Sequence, residues 1–241
     1  MTIKVAVVGA TGRMGKLAID IINGAADLEL HSAIDSKTEL EMAAGSDVIF
    51  EATNLEVSQK VVDFGLSNGI NVLVASSGWT SAALAEVKTK ATGSAVVVIP
   101  NFSIGSTLAS RFAAEAARFY DSIEIIETHH AGKKDSPSGT AIRTAELIAQ
   151  SRNEANRDTP LIQGVGQAAR GQVVAGVPIH SLRLDGVSAK QEVNLGGTEE
   201  VLSIVHQTAS VKAYALGILH SIRFTANAQG LVVGLDKVLG I

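Results

Sequence analysis

The chain has 241 residues, 46% of them hydrophobic and 18% charged, which is enough apolar side chain for one large domain or two modest ones and too little charge for a disordered tail. Lys and Arg number 20 against 24 Asp and Glu, a net charge of -4 that argues against a nucleic-acid partner. Cysteine is absent, so disulfides, thiolate-bound metals and cysteine nucleophiles are excluded.

The N-terminal stretch 5–10 is apolar but breaks at Thr11, Gly12 and Arg13, too short for a secretory core. No apolar run approaches the roughly 18 residues of a membrane span. The expectation is a cytoplasmic protein with no membrane partner.

In chain order, β-rich runs are read at 3–8, 28–34, 48–51, 72–74 and 95–99, with helical patterns at 14–23, 57–68 and 81–90. The crossover 36–47 is long enough for only a helical turn or two, so the sheet is small and lopsided. Alternation of this kind marks βαβ units and a parallel sheet. After Pro100 the rhythm changes. A helix is read over 106–120, on Leu108, Phe112 and Phe119, then a strand over 123–128 and a second helix capped by Ser138. Residues 151–176 read as a long loop, followed by β-like runs at 178–184, 191–195 and 200–207, a helix at 212–225 and a short strand at 231–233. Strands without intervening helices predict a second domain of α+β type with a mixed sheet.

Strand one ends in Gly9, Ala10, Thr11, Gly12, Arg13, Met14 and Gly15, the pattern G-x-x-G-x-x-G at a strand-to-helix turn. Glycine lets the backbone turn tightly and lie close to a pyrophosphate held by the N–H groups of the following helix. Asp35 ends strand two, where an acid binds the adenosine ribose hydroxyls. Arg13, Lys16 and Lys37 lie near this end, so a 2′-phosphate is also compatible. Two further strand ends, Ala75, Ser76, Ser77 and Ile99, Pro100, Asn101, Phe102, lie where ligands bind in open α/β sheets. Small residues at the first admit a flat ring, and Asn101 suits an amide.

The segment 129–140 gathers His129, His130, Lys133, Lys134, Ser138, Gly139 and Thr140 against one carboxylate, Asp135. Such a loop suits an anion: a carboxylate takes the N–H groups of Gly139 and Thr140, with the hydroxyls of Ser138 and Thr140 and a nearby Lys adding bonds. Lys or His then serves as proton donor. A metal site on His129 and His130 is disfavoured, because adjacent strand residues point to opposite faces, and no metal is expected.

Residues 127–140 read E-T-H-H-A-G-K-K-D-S-P-S-G-T, which closely resembles the E-x-H-H-x-x-K-x-D-A-P-S-G-T signature of the 4-hydroxy-tetrahydrodipicolinate (dihydrodipicolinate) reductase family. The resemblance extends along the chain. Pro100 to Gly105 is similar to the family's P-N-F-S-x-G hinge, Val177 to Arg183 to its G-I-P-I-H-S-x-R strand, and Ile204 to His206 to a further strand. The compact length resembles the short actinobacterial type. The resemblance implies a Rossmann-like dinucleotide-binding domain over 1–103 and 212–241, and a substrate-binding and oligomerisation domain over 104–211 that forms a homotetramer. It implies NADH or NADPH as cofactor, a small dicarboxylate substrate, and a place in lysine biosynthesis through diaminopimelate. By the same resemblance His129 and Lys133 are the proton-handling groups, and His130, Ser138, Gly139 and Thr140 are substrate contacts. Gly9 to Met14 form the pyrophosphate turn, Asp35 is the ribose acid, and Ala75 to Ser77 and Ile99 to Phe102 are the loops around nicotinamide.

The chain departs from the family at Glu51-Ala52-Thr53, where Asp-Phe-Thr is frequent, and at Ala75-Ser76-Ser77-Gly78, where Gly-Thr-Thr-Gly is frequent. Ser136, Lys190 and Val211 replace the usual Ala, His and Arg. Rival readings are another dinucleotide-dependent reductase or amino-acid dehydrogenase, and a dinucleotide sensor that has lost activity. A semialdehyde dehydrogenase with a cysteine nucleophile is excluded by composition. The intact proton-handling set argues against the sensor.

Overall fold

The computed structural model describes residues 2–164 and 166–241. It divides into two compact units, one comprising the chain up to Ile104 together with Val211–Ile241, the other Gly105–Ser210.

In the first unit β1 (Ile3–Val8), β2 (Leu28–Ile34), β3 (Val48–Glu51), β4 (Asn71–Val74) and β5 (Ala95–Val98) alternate with α1 (Arg13–Gly24), α2 (Leu55–Ser67) and α3 (Ser81–Lys90), while one 3-10 turn, Leu40–Ala43, occupies the short second crossover. β3 reads VIFE and β5 reads AVVV with every residue buried, as a strand covered on both faces requires. Alternate side chains then divide between two cores. Val5, Val7, Phe50, Leu73 and Val97 pack with Ala18 and Ile22 of α1. Ala6, Val8, Ile49, Val72 and Val96 pack with Val61 and Val62 of α2 and Val87 of α3.

The second unit holds α4 (Ile104–Ala116), β6 (Ser122–His129), α5 (Gly139–Glu154), β7 (Gln172–Val174), β8 (Val177–Arg183), β9 (Ala189–Gly197) and β10 (Glu200–Thr208). Its sheet has the order β10-β9-β6-β8-β7, with β6 and β8 parallel and the other pairs antiparallel. Helices cover one face, where Ile123, Ile125, Ile179, Val193 and Leu195 pack on Ala113, Ala117, Ala141, Ala145 and Ile148. The other face exposes Val173, Leu182, Val201 and Val205.

The chain then returns to the first unit as α6 (Ala215–Thr225), β11 (Gly230–Val233) and α7 (Leu235–Leu239). β11 completes a six-stranded, all-parallel sheet of order β11-β5-β4-β3-β1-β2 among the described residues. A Cβ at Gly217 of α6 would lie 1.9 Å from the Phe102 carbonyl oxygen, so only glycine lets the helix approach that closely. Arg223 clamps Asp27 through two bonds of 2.8 Å, and the Asn71 amide donates to the carbonyls of Thr225 and Ala226, so the returning segment is tied to the sheet. No helix among the described residues is long and apolar enough to cross a membrane.

The parallel sheet followed by a mixed sheet agrees with the sequence reading, but several boundaries differ. α2 begins two residues earlier than its apolar pattern, because Asn54 caps it by accepting from Val57 N. α4 ends at Ala116 rather than at residue 120, and its buried face is Ser106, Ser110, Ala113 and Ala114. Phe112 and Phe119, which carry the helical spacing of the sequence reading, are 60% and 75% exposed. The helix buries its small residues instead, Ser110 Oγ lying 2.8 Å from Thr144 Oγ1 of α5. The expected loop 151–176 contains the last turn of α5, a 3-10 turn at Ala168–Arg170 and the edge strand β7. A three-residue strand is too short to show alternation. Val165, inside that stretch, lies outside the described residues.

Candidate functional site

In the first unit, β1 and β3 flank the point where the strand order reverses, since β2 alone lies on the far side of β1. Ligands of open α/β sheets bind at the carboxyl ends of strands at such a point. The glycine turn sits there. Gly9 has φ +89°, and a Cβ on it would come 2.5 Å from the Ala52 carbonyl oxygen, while a Cβ on Gly15 would come 2.1 Å from the Gly9 oxygen. Gly12 N donates to Gly9 O at 3.0 Å and is the extended residue before α1. Gly9 and Ala10 both donate to Ile34 O, at 2.9 and 3.1 Å, so these two residues shape the turn. Thr11, Arg13 and Met14 then carry the N–H groups at the open end of α1, which has no side-chain cap and no acid in its first turn. The cradle therefore fits a pyrophosphate: backbone only, crowded against any side chain, and electropositive.

Asp35 follows β2. Its Oδ1 accepts from Lys37 N at 2.9 Å and from Thr38 Oγ1 at 3.0 Å. The bond from Lys37 N, then that from Thr38, holds the carboxyl below the ordinary aspartate value. Oδ2 accepts no bond among the described residues, and Lys37, Arg13 and Lys16 are exposed.

The loops after β3, β4 and β5 complete this end. Glu51 is fully buried and accepts from Thr53 N at 2.6 Å, Thr53 Oγ1 at 2.5 Å, Ser76 Oγ at 2.8 Å and Ser58 Oγ at 2.6 Å. One carboxylate thus ties the loop after β3 to the loop after β4 and to α2. Ala75 is not among the residues with positive φ, so replacing the family's glycine there carries no backbone strain. Ser76 is buried on Glu51 and Ser77 is exposed. Ile99 and Phe102 belong to the core, Phe102 lying 6.0 Å from Phe50 between ring centroids, while Pro100 is exposed and Asn101 Oδ1 accepts from Ser103 N at 2.9 Å. The side chains of Ile99 and Phe102 are therefore packed in the core beneath the loop. Glu51→Ala, which removes the buried acceptor shared by four donors, is expected to lower unfolding free energy by about 2–4 kcal/mol. Glu51→Gln, which keeps an acceptor oxygen, is expected to lose less, as urea denaturation of both variants measures.

In the second unit the basic loop is built on the end of β6. Glu127 is fully buried and faces the same side of the strand as His129, two residues on. Its carboxylate accepts from His129 Nδ1 at 2.5 Å, from both terminal nitrogens of Arg183 at 3.0 and 2.9 Å, and from Ser138 N at 3.2 Å. Burial works to raise the Glu127 pKa, but the bonds from Arg183, Ser181 and His129 override it and leave the group below the ordinary glutamate value. Burial pushes His129 below the ordinary histidine value, the charges of Lys133 and Arg183 push the same way, and Glu127 offsets them only in part. At neutral pH the ring is therefore neutral. With the carboxylate as acceptor, the proton sits on Nδ1 and Nε2 carries the lone pair.

Lys133 N donates to His130 O at 3.0 Å, closing a turn, and the Lys133 ammonium is held by both oxygens of Asp135 at 2.8 Å. His130 is exposed. Ser138 is buried and its hydroxyl is committed to capping α5, accepting from Ala141 N at 3.2 Å. Gly139 has nothing within 4 Å of where a Cβ would be, and no acid stands in the first turn of α5, so the helix opens beside Gly139 and Thr140 onto free space. His129, Lys133, His130, Gly139 and Thr140 thus belong to one loop and helix start, with Ser138 as support. The sequence reading assigned no role to Glu127, Asp135 or Arg183. Glu127 and Asp135 lay inside the signature, and their acidity beside basic groups was a usable signal; Arg183 closes the strand 177–183 that resembles the family, but nothing local pairs it with Glu127, 56 residues away.

Residues 3–102 match the family Dihydrodipicolinate reductase, N-terminus, and residues 105–239 match Dihydrodipicolinate reductase, C-terminus. The chain belongs to the dihydrodipicolinate reductase family. A 4-hydroxy-tetrahydrodipicolinate reductase of Clavibacter michiganensis subsp. michiganensis is 51% identical over 100% of this chain and 87% of its own length. That of Nocardia farcinica is 40% identical over the whole of both. Among solved structures, the dipicolinate-bound dihydrodipicolinate reductase of Paenisporosarcina sp. TG-14 superposes with a TM-score of 0.81 at 28% identity, covering 98% of this chain and 99% of that one. In the stretch of this chain that resembles the family signature, Ser136 alone departs from the specified letters, and it takes part in none of the bonds described above.

Proposed function

We propose that the chain reduces 4-hydroxy-tetrahydrodipicolinate to tetrahydrodipicolinate with loss of water, using NADH or NADPH, in lysine biosynthesis through diaminopimelate. Family membership over nearly the full chain supports the reaction class. The observation that carries the chemistry is the neutral, oriented His129 beside the ion-paired Lys133 on the loop that leads into α5. Bound in the first unit, the reduced nicotinamide supplies a hydride. The second unit binds a small dicarboxylate: the N–H groups of Gly139 and Thr140 take one carboxylate, and His130 adds a contact. Lys133, charged and held by Asp135, donates a proton where hydride arrival leaves an atom basic, and the His129 Nε2 lone pair accepts or relays one. A coupled assay with freshly made substrate, following loss of reduced-nicotinamide absorbance, tests this. Turnover with either cofactor is expected, and silence with both overturns the reading.

Asp35 is the ribose acid. Held anionic, it accepts hydroxyl bonds and repels a phosphate, so Asp35→Ala is expected to weaken NADH more than NADPH. Equal losses in calorimetric titrations contradict that role. Arg13, Lys16 and Lys37 favour use of both cofactors with a modest preference.

The same reading makes the chain a cytoplasmic homotetramer, since the reaction draws on the reduced-nicotinamide pool. The open face of the second sheet supports assembly with further copies: Val173, Leu182, Val201 and Val205 share that face by register and stand 39% to 70% exposed.

A further inference from the structure

The parallel register of β6 and β8 sets Arg183 directly opposite His129, and the guanidinium of Arg183 is engaged on three sides. It forks onto Glu127, the carboxylate that receives His129 Nδ1–H. Its Nε donates to the carbonyl of Lys133 at 3.3 Å, and its Nη2 also donates to the carbonyl of Asp135 at 2.7 Å. Asp135 in turn holds the Lys133 ammonium. No other side chain touches both proton-handling arms among the bonds described.

We propose that Arg183 is the positioning residue of this site: one guanidinium fixes the imidazole of His129 through Glu127 and, through the carbonyls of Lys133 and Asp135, the loop that places the Lys133 ammonium. A lysine cannot substitute, because a single ammonium lacks the planar fork that spans a carboxylate and two carbonyls. Arg183 also sets the state of the ring. Together with Ser181 and His129 it holds Glu127 below the ordinary glutamate value, so that Glu127 remains a pure acceptor and His129 keeps its proton on Nδ1. Its own positive charge discourages a second proton on Nε2.

The groups that face His129 define what its titration reports. Glu127 is on its own strand, Arg183 on β8, and Lys133 and Asp135 in the loop. From β9 the residue opposite is Ala189, and the neighbouring Lys190 is ion-paired with Glu192 on the other face. Removing Arg183 takes away a charge that opposes ring protonation, so the His129 pKa rises. Removing the charge of Glu127 takes away the only anion bonded to the ring among the described residues, so the pKa falls. A residue that merely stabilises the fold does not produce opposite shifts from the two ends of one bond.

The inference rests on the reductase reading for its catalytic consequence, and the experiment separates the two. His129 is followed by NMR of the full chain labelled with 15N-histidine, without substrate, over a pH titration of wild type, Arg183→Gln, Glu127→Gln and Arg183→Lys. Turnover and NADH affinity are measured on the same proteins. Wild type is expected to show the Nδ1–H tautomer. Arg183→Gln raises the His129 pKa and Glu127→Gln lowers it. Arg183→Gln also loses turnover on the order of 10-fold to 100-fold, the scale on which groups supporting a catalytic side chain act, with NADH affinity unchanged. Arg183→Lys restores the His129 pKa towards wild type and leaves turnover reduced, and it carries the test if Arg183→Gln does not fold. Shifts of the same sign in Arg183→Gln and Glu127→Gln, an unmoved His129 in both, or full turnover in Arg183→Lys overturns the proposal. An error in the substrate appears instead as absent turnover in wild type with the opposite shifts intact.

Discussion

Alanine in place of His129 or Lys133 is expected to cut turnover by about 100-fold to 10,000-fold, the usual contribution of a positioned proton donor or acceptor. The reason lies in how each is held. His129 presents a neutral ring whose Nδ1–H is committed to Glu127, so Nε2 is the atom left for chemistry. Lys133 presents an ammonium oriented by Asp135 and only one fifth exposed. Truncating either leaves the glycine turn of the other unit untouched, so NADH affinity by calorimetry stays at the wild-type value. Lys134→Ala removes an exposed ammonium with no bond among the described residues, and it is expected to be nearly silent in steady-state kinetics. If Lys134→Ala were as damaging as Lys133→Ala, or His129→Ala kept near-normal turnover, the assignment of roles within the loop would be wrong while the family stood.

The second large effect belongs to the glycine turn. Gly9→Ala forces a side chain onto a residue with φ +89° and drives its Cβ to 2.5 Å from the Ala52 carbonyl oxygen; Gly15→Ala places a Cβ 2.1 Å from the Gly9 oxygen. In both cases the obstructing atom is backbone and cannot swing aside. The turn must open, the N–H groups of Thr11, Arg13 and Met14 are displaced, and cofactor binding is expected to fall beyond detection, with a stability loss of about 2–4 kcal/mol. Gly24→Ala is the control. It lies at the end of α1 with nothing within 4 Å of its Cβ, and the same substitution there is expected to leave binding intact and stabilise by about 0.4–1 kcal/mol. Thermal unfolding with and without NADH distinguishes these outcomes, and NADH binding retained by Gly15→Ala would count against the turn as the pyrophosphate cradle.

What the sequence determined was whatever depends on neighbours a few residues apart. The alternation of buried strands with amphipathic helices, the glycine turn after β1, the Ser138 cap of α5 and the gathering of His129, Lys133 and the helix start into one loop are all local, because strand and helix periods, turn torsions and capping bonds act within about one turn of chain. The tertiary structure decided the rest. It turned Phe112 and Phe119 outward, since which side of this stretch is buried depends on what packs against it, Thr144 of α5 lying on Ser110. It recruited β7 from what reads as loop, because an edge strand is defined by its partner β8. It brought Ser58 and Ser76 to Glu51, and Arg183 to Glu127, across separations that no local pattern spans. Such pairs are fixed by the register of whole strands, and register is chosen by burying an entire sheet face at once, so the partner of a buried carboxylate becomes visible only after the sheet has formed.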